Sequence, residues 1–411
     1  MVVFWLLMTL GSLSRVAITS LTLFLITFTT KLIFMLMKAL LGAIFCALSI
    51  SPLSSLPLAA QTEPTVCQQT GFPYGRFLQR PKESPRPKGK RPPRKMPRHC
   101  GRHQACAGVP RLKVVGTRLL NEKGDSVVLN GPSLGWHSNW GRFYNDSTVM
   151  AFRRNWDANI TRAAIGAHTS GDVVNCFDAD SVAAMSRLYK VIDAAITYDM
   201  YIICDWHSHN NTLPDAKRFF KAVTERYGNC PNIIYEIWNE PLEIPWQEIK
   251  DYAEVIIPLI REKAPDSVII VGTPKWDQDV DIATESPLDF PNLLYALHFY
   301  ASTHGDWFRE KAEKAIAAGL PLIISECGGM EATGDGPLGE ESWAQWMDLA
   351  DRHGLSVLMW AVADKNETCS MVTPDASSNA MHWTDAQLKP WAKMARATIK
   401  RRNAPAPAKS K

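Results

Sequence analysis

No Gly-x-Gly-x-x-Gly turn follows an early strand-like run in this 411-residue chain, so the dinucleotide fingerprint of a doubly wound sheet is missing. There is no Cys-x-x-Cys pair and no His/Cys cluster at zinc-ligand spacing, and neither a metal nor a cofactor is expected. Long apolar runs are scarce too. Val2–Ser14 and Val16–Thr30 are interrupted by Arg15 and Lys31, and neither reaches the roughly 18–20 residues of a membrane span. Residues 61–113 carry only two acidic side chains against 13 Lys and Arg, and stretches such as RPKESPRPKGKRPPRKMPR are almost without apolar residues. Such a segment cannot build a core, so 61–109 reads as a disordered Pro/Lys/Arg-rich linker.

The body that remains has the opposite sign. Residues 114–399 hold 24 Lys and Arg against 39 Asp and Glu, a net of −15 hidden beneath the formal +4 of the whole chain. An acidic body with basic ends disfavours nucleic acid as a partner. Residues 1–60 read as a signal peptide or hydrophobic targeting region: Met37-Lys38, then ALLGAIFCALSI, then PLSSLPLAA with a cleavage site near Ala60. Secretion is the expectation, with an uncleaved membrane anchor as the alternative. Cys46 leaves with that segment, and secretion permits disulfides among Cys67, Cys100, Cys106, Cys176, Cys204, Cys230, Cys327 and Cys369. Residues 400–411 read as a second basic, disordered tail.

Between linker and tail, apolar β-rich runs recur at Ser126–Asn130, Ile160–Ile165, Tyr201–Trp206, Ile233–Trp238, Ser267–Gly272, Leu294–Tyr300, Leu322–Ser325 and Ser356–Ala361. Amphipathic stretches follow most of them, with the helical period clearest in Val182–Ile196. Eight strands alternating with helices over 110–399 predict a single (β/α)8 barrel domain.

In such a barrel the chemistry sits at the C-terminal strand tips. Those tips carry Arg162, alone among apolar neighbours, then Asp205-Trp206-His207, Asn239-Glu240, His298-Phe299-Tyr300, Glu326 and Trp360. Each has a plain structural explanation on its own: a paired buried charge, a satisfied core histidine, an Asn-Glu-Pro turn ending a strand. Their convergence on one face favours chemistry. Two glutamates across a barrel mouth are what retaining glycoside hydrolysis requires. Glu240, with His298 to modulate its proton, is expected to be the acid/base, and Glu326, flanked by Arg162 and Tyr300, the nucleophile. Asn239 is placed for the sugar 2-hydroxyl and Trp360 for stacking under a pyranose ring. The 14 Trp fit such stacking, although core filling accounts for some.

NEP after the fourth strand, HFY after the sixth and SE with a following Gly-Gly after the seventh resemble glycoside hydrolase family 5, in particular its secreted endo-β-1,4-glucanases. The resemblance covers about residues 110–398 and is supported by NWDANITRAAIG, YIICDWHSH, GTPKWDQDVD and WAVADKNETCSM. It implies Glu240 as acid/base and Glu326 as nucleophile, surrounded by Arg162, His207, Asn239, His298 and Tyr300. It also implies substrate contacts from Trp360, Lys365, Glu367, Trp140 and Trp276, with His137 in the place of a first-strand histidine, one residue out of the usual spacing to Trp140. Cys327 stands where relatives usually carry Trp or Tyr. The implied partner is a β-glucan polysaccharide, soluble or amorphous, with no obligate protein partner and a monomeric enzyme. Mannan, xyloglucan and mixed-linkage β-glucan are the alternative polymers, and a catalytically dead carbohydrate-binding protein is the alternative class.

Overall fold

The computed structural model describes residues 106, 108–169, 173–379 and 381–405. The targeting region, nearly all of the linker and the tail beyond 405 lie outside the described residues. An antiparallel hairpin, β1 (Lys113–Val115) and β2 (Arg118–Leu120), precedes the barrel. The barrel strands are β3 (Asn130–Leu134), β4 (Ile160–Gly166), β5 (Tyr201–His207), β6 (Ile233–Glu236), β7 (Ile269–Val271), β8 (Leu293–Tyr300), β9 (Leu322–Gly328) and β10 (Val357–Val362). All pair in parallel, and β10 closes on β3. A helix follows each: α1 (Asp146–Asn155), α2 (Phe177–Thr197), α3 (Leu213–Tyr227), α4 (Trp246–Arg261), α5 (Val280–Glu285), α6 (Asp306–Ala317), α7 (Glu340–His353) and α8 (Pro390–Asn403). This is a (β/α)8 barrel.

Strand side chains alternate, so every second residue points into the bore. At the hairpin end the bore is filled by Leu129, Ile160, Tyr201, Ile203, Ile234, Ile270, Leu294, Ile323 and Leu358, on which Leu112 and Leu119 of the hairpin region pack. Two residues further along the same stripes come Arg162, Asp205, Glu236, Ala296 and Trp360, with His298 one inward position beyond Ala296. The period that builds the core therefore also delivers the charges. β9 breaks the period: Ala296 pairs with Ile323, but His298 pairs with Glu326, and β10 sees a matching shift. The extra residue is a β-bulge, which re-aims side chains. It lets Ser325 and Glu326, adjacent in sequence, both reach the bore.

Three expectations need revision. The first barrel strand begins at Asn130 rather than Ser126; Ser126 instead bridges Leu120 beside the hairpin. Asn130–Leu134 contains Gly131 and Pro132, residues that argue against a strand in sequence. Here Gly131 is needed, since a Cβ would lie 1.7 Å from the Ile160 carbonyl oxygen. The boundary at 399 falls inside α8, which runs on to Asn403. Arg402 Nε donates to Asn130 Oδ1 (2.7 Å), and Asn403 Nδ2 donates to the Asn130 carbonyl (3.1 Å), stitching the last helix to the first strand. Of the eight cysteines, Cys106 is disulfide-bonded, whereas Cys176, Cys204, Cys327 and Cys369 are buried free thiols. Burial pushes the thiols of Cys204 and Cys327 well above their ordinary range.

Candidate active site

Arg162 organises the charged end of the bore. It is fully buried, a position that is tolerable for a guanidinium only when its donors are met by anions. Nε donates to Glu236 Oε2 (2.6 Å), Nη1 to Glu326 Oε2 (2.7 Å), and Nη2 to Asn239 Oδ1 and to Asp205 Oδ2, the latter at 2.9 Å. Burial works against its charge, but Asp205, Glu236 and Glu326 overcome it and hold the guanidinium protonated. Burial also lifts the carboxyl of Asp205 well above the usual range, with Arg162 offsetting only part. For Glu236 the same burial is overcome by Arg162, which holds it down at about 2. Of these two buried acids, Glu236 is the one that Arg162 holds firmly ionised, while burial works against the ionised form of Asp205.

Glu326 is fixed on both oxygens: Arg162 holds Oε2, and the Tyr300 hydroxyl donates to Oε1 at 2.7 Å. Glu240 is held otherwise. It lies beyond the end of β6, with its backbone in the left-handed region at φ 47°, which costs a non-glycine residue about 1–3 kcal/mol. Its N–H donates to Asp277 Oδ2 (2.9 Å), and its Oε1 is 3.1 Å from His298 Nδ1. Gly272, at the end of β7, lets this turn approach: a Cβ there would lie 2.3 Å from the Trp238 carbonyl oxygen. Burial raises the Glu240 carboxyl, and the hydrogen bond and charge of His298 more than offset this, leaving it below its ordinary range. Burial would discharge His298, but Asp277, Glu236 and Glu240 raise it well above a usual imidazole. Its Nε2 lies 2.9 Å from Ser325 Oγ. One oxygen from each of Glu240 and Glu326 and a ring nitrogen of His298 all lie within 4.8 Å of one another.

This is a carboxylate pair at the mouth of a (β/α)8 barrel, one acid braced by a guanidinium and a phenol and the other by an imidazole. Residues 120–366 match the family model for cellulase, glycosyl hydrolase family 5. The chain belongs to glycosyl hydrolase family 5. Among relatives in the family, endoglucanase Z of Dickeya dadantii is 41% identical over 286 residues, covering 68% of this chain and 66% of its own length. An endoglucanase of Clostridium saccharobutylicum is 38% identical over 288 residues, covering 67% of this chain and 62% of its own length. This chain thus spans a little under two thirds of both. The crystal structure of the catalytic domain of a Thermobifida fusca endoglucanase superposes with TM-score 0.67 at 29% identity, over 71% of this chain and 97% of that one.

The other expected positions of this family 5 site are spread along the mouth. His207 stacks on Trp360, with rings 5.2 Å apart and 5° from parallel, and its Nδ1 is 2.7 Å from Asp205 Oδ2. Burial and the Arg162 charge depress His207 to about 3, so it is neutral. Trp276 is 40% exposed on a left-handed turn, Lys275–Asp277, and Trp140 is half-buried against Gly135. Lys365 pairs with Glu367, whose Oε1 also accepts from Cys369 Sγ at 3.1 Å. His137 departs from its expected role as a substrate contact. It is completely buried, its Nδ1 accepts from the Gly166 N–H (3.0 Å), and its Nε2 has no hydrogen-bond partner among the described residues.

Sequence reasoning placed Asp205 at a strand tip without giving it a role, and did not single out Glu236, Ser325 or Asp277 as members of the site. Glu236 carried the same signal that exposed Arg162, a charge inside a buried apolar strand. Asp277 carried none, because its position depends on three consecutive left-handed residues.

Proposed function

We propose that this chain is a secreted endo-β-1,4-glucanase that cleaves internal bonds of soluble or amorphous glucan with retention of configuration. The observation that carries the reading is the closeness of the Glu240 and Glu326 oxygens, within 4.8 Å. Retaining enzymes hold their carboxyl groups about 5–5.5 Å apart, while inverting ones leave about 6.5–9.5 Å for a water. Glu326, with each oxygen already held, attacks the anomeric carbon as the glycosidic C–O bond breaks, and Glu240 gives its proton to the departing oxygen. His298 holds the proton in the free site and returns it across the Nδ1···Oε1 contact. In the second step water attacks the glycosyl-Glu326 ester, Glu240 takes the proton of that water, and Glu326 is released. Asn239 Nδ2 has no partner among the described residues and is a free donor for the sugar 2-hydroxyl. The names of the relatives, both endoglucanases, support the polymer. Trp276 and Trp360 supply flat surfaces for pyranose rings.

The test is the anomer first formed from a cello-oligosaccharide, followed by proton NMR: β product supports retention, and α product overturns the Glu326 assignment. Reducing-end release from a panel of soluble polysaccharides tests the substrate, and greater activity on mannan than on carboxymethyl cellulose sinks the cellulase reading. Secretion rests on residues 1–60 alone. N-terminal sequencing of protein from the medium is expected to find a start near position 61, and a full-length membrane-bound form would favour the anchor.

A further inference from the structure

The geometry points to Asp277 as a positioning residue that joins the acid/base Glu240 and the Trp276 platform into one unit and sets when Glu240 can give up its proton. The inference rests on the reading of Glu240 as acid/base and goes further by assigning control of that acid to a residue that touches no substrate. Asp277 is completely buried, yet both its oxygens are engaged. Oδ1 accepts the Thr273 N–H at 2.6 Å, and Oδ2 accepts the Glu240 N–H at 2.9 Å. Oδ2 also lies 3.4 Å from His298 Nδ1, the same nitrogen that contacts Glu240 Oε1. One carboxylate therefore grips the left-handed backbone of Glu240 and competes with its side chain for the proton of His298.

The turn carrying Asp277 is tied to the segment after Glu240 from the other side. The Trp276 N–H donates to the Pro241 carbonyl (2.8 Å), and the Lys275 N–H to the Leu242 carbonyl (3.0 Å). Trp276 and Glu240 thus ride on two strained turns laced together, with Asp277 as the buried knot. A sugar stacking on Trp276 presses on the element that fixes Glu240. The titratable groups facing Asp277 are His298 from β8 and Glu240 and Glu236 from β6 and its following turn. Burial pushes the Asp277 carboxyl up to about 7, with His298 pulling it down and the two glutamates adding to the rise.

Asp277→Asn tests this. An amide can accept one of the two backbone N–H groups but presents a donor to the other, and it carries no charge toward His298. Acid catalysis matters only for a leaving group that needs a proton, so kcat/KM on a cello-oligosaccharide should fall at least about tenfold, while that on dinitrophenyl β-cellobioside stays within about twofold. Without the anionic neighbour His298 binds its proton less tightly, so the basic limb of the oligosaccharide pH profile should move down by about one pH unit. Equal losses on both substrates, or an unmoved limb, would overturn the assignment. If the Asn variant does not fold, Asp277→Ser, smaller and with one acceptor, carries the same two measurements. A native protein that cleaves neither glucoside would refute the glucanase reading itself, a result distinguishable from failure of the Asp277 assignment.

Discussion

The two ends of the barrel bore are built from the same strands in the same alternation, yet they do different work. At the hairpin end Ile160, Ile203, Ile234 and Leu294 pack against one another and need nothing but shape. One inward position further along those same strands stand Arg162, Asp205, Glu236 and Ala296, followed by His298. The apolar end stabilises by burial, while the charged end has to be wired before it can be buried at all. The difference teaches that the fold and the site are separable by about one turn of the strand pleat, and mutations should respect that boundary.

The largest effect should come from Glu326→Gln, which keeps size and removes the proposed nucleophile: turnover of glucan should fall by on the order of 10⁴ or more, with the unfolding transition near that of the native protein. A variant that releases sugar at the native rate would erase the charged end as the seat of chemistry. At the other end, Ile234→Ala should cost about 2–5 kcal/mol in unfolding free energy by denaturant titration while leaving kcat of the folded fraction unchanged. Loss of kcat at constant stability would show that the two ends are not separable.

Two histidines near the end of β8 sharpen the contrast through pH. Burial depresses His304 to about 4, whereas His298 is kept charged. A base with a lowered folded pKa stabilises the protein above its unfolded value, near 6.5, and that contribution drains away as pH falls toward 4. The stability advantage of the native protein over His304→Gln should therefore shrink by about 1.4 kcal/mol per pH unit between those limits, as read by urea unfolding. A constant difference would mean His304 is charged in the fold. Tyr300→Phe, which strips one hydrogen bond to the charged Glu326, should lower kcat/KM by about 10- to 150-fold. The smallest change is expected of Trp276→Ala, a rise in KM for long oligosaccharides of about 2- to 12-fold from the lost ring contact.

Much of this was legible in the sequence. Seven of the eight strand runs coincide with most of their barrel strands, because burial on both faces writes a continuous β-branched run, and the eighth touches its strand only at Asn130. The eighth failed at Asn130–Leu134, where Gly131 and Pro132 carry the composition of a turn but are held in a strand by backbone pressed against Ile160. Glu240 and Glu326 stood out as acids at strand tips. The bulge that turns Glu326 inward did not, since strict alternation from Ile323 would favour Ser325 alone. Asp277 acts through partners distant in the chain, and nothing local marks it. His137 was legible by residue type alone, while its complete burial depends on how the β3–α1 connection folds back.

The stitch between Arg402, Asn403 and Asn130 has a bearing on how little of this chain can serve as a working unit. Lys389, just before α8, donates to the carbonyls of Lys365 (2.6 Å) and Glu367 (3.1 Å), and Trp391 Nε1 donates to the carbonyl of Trp360. The closing helix therefore braces the Lys365–Glu367 loop and the Trp360 backbone. A shortened version ending at 366, where the family match ends, would keep both glutamates but lose the clasp between the first and last staves and the prop behind Trp360. The structural unit that keeps these contacts extends to Asn403.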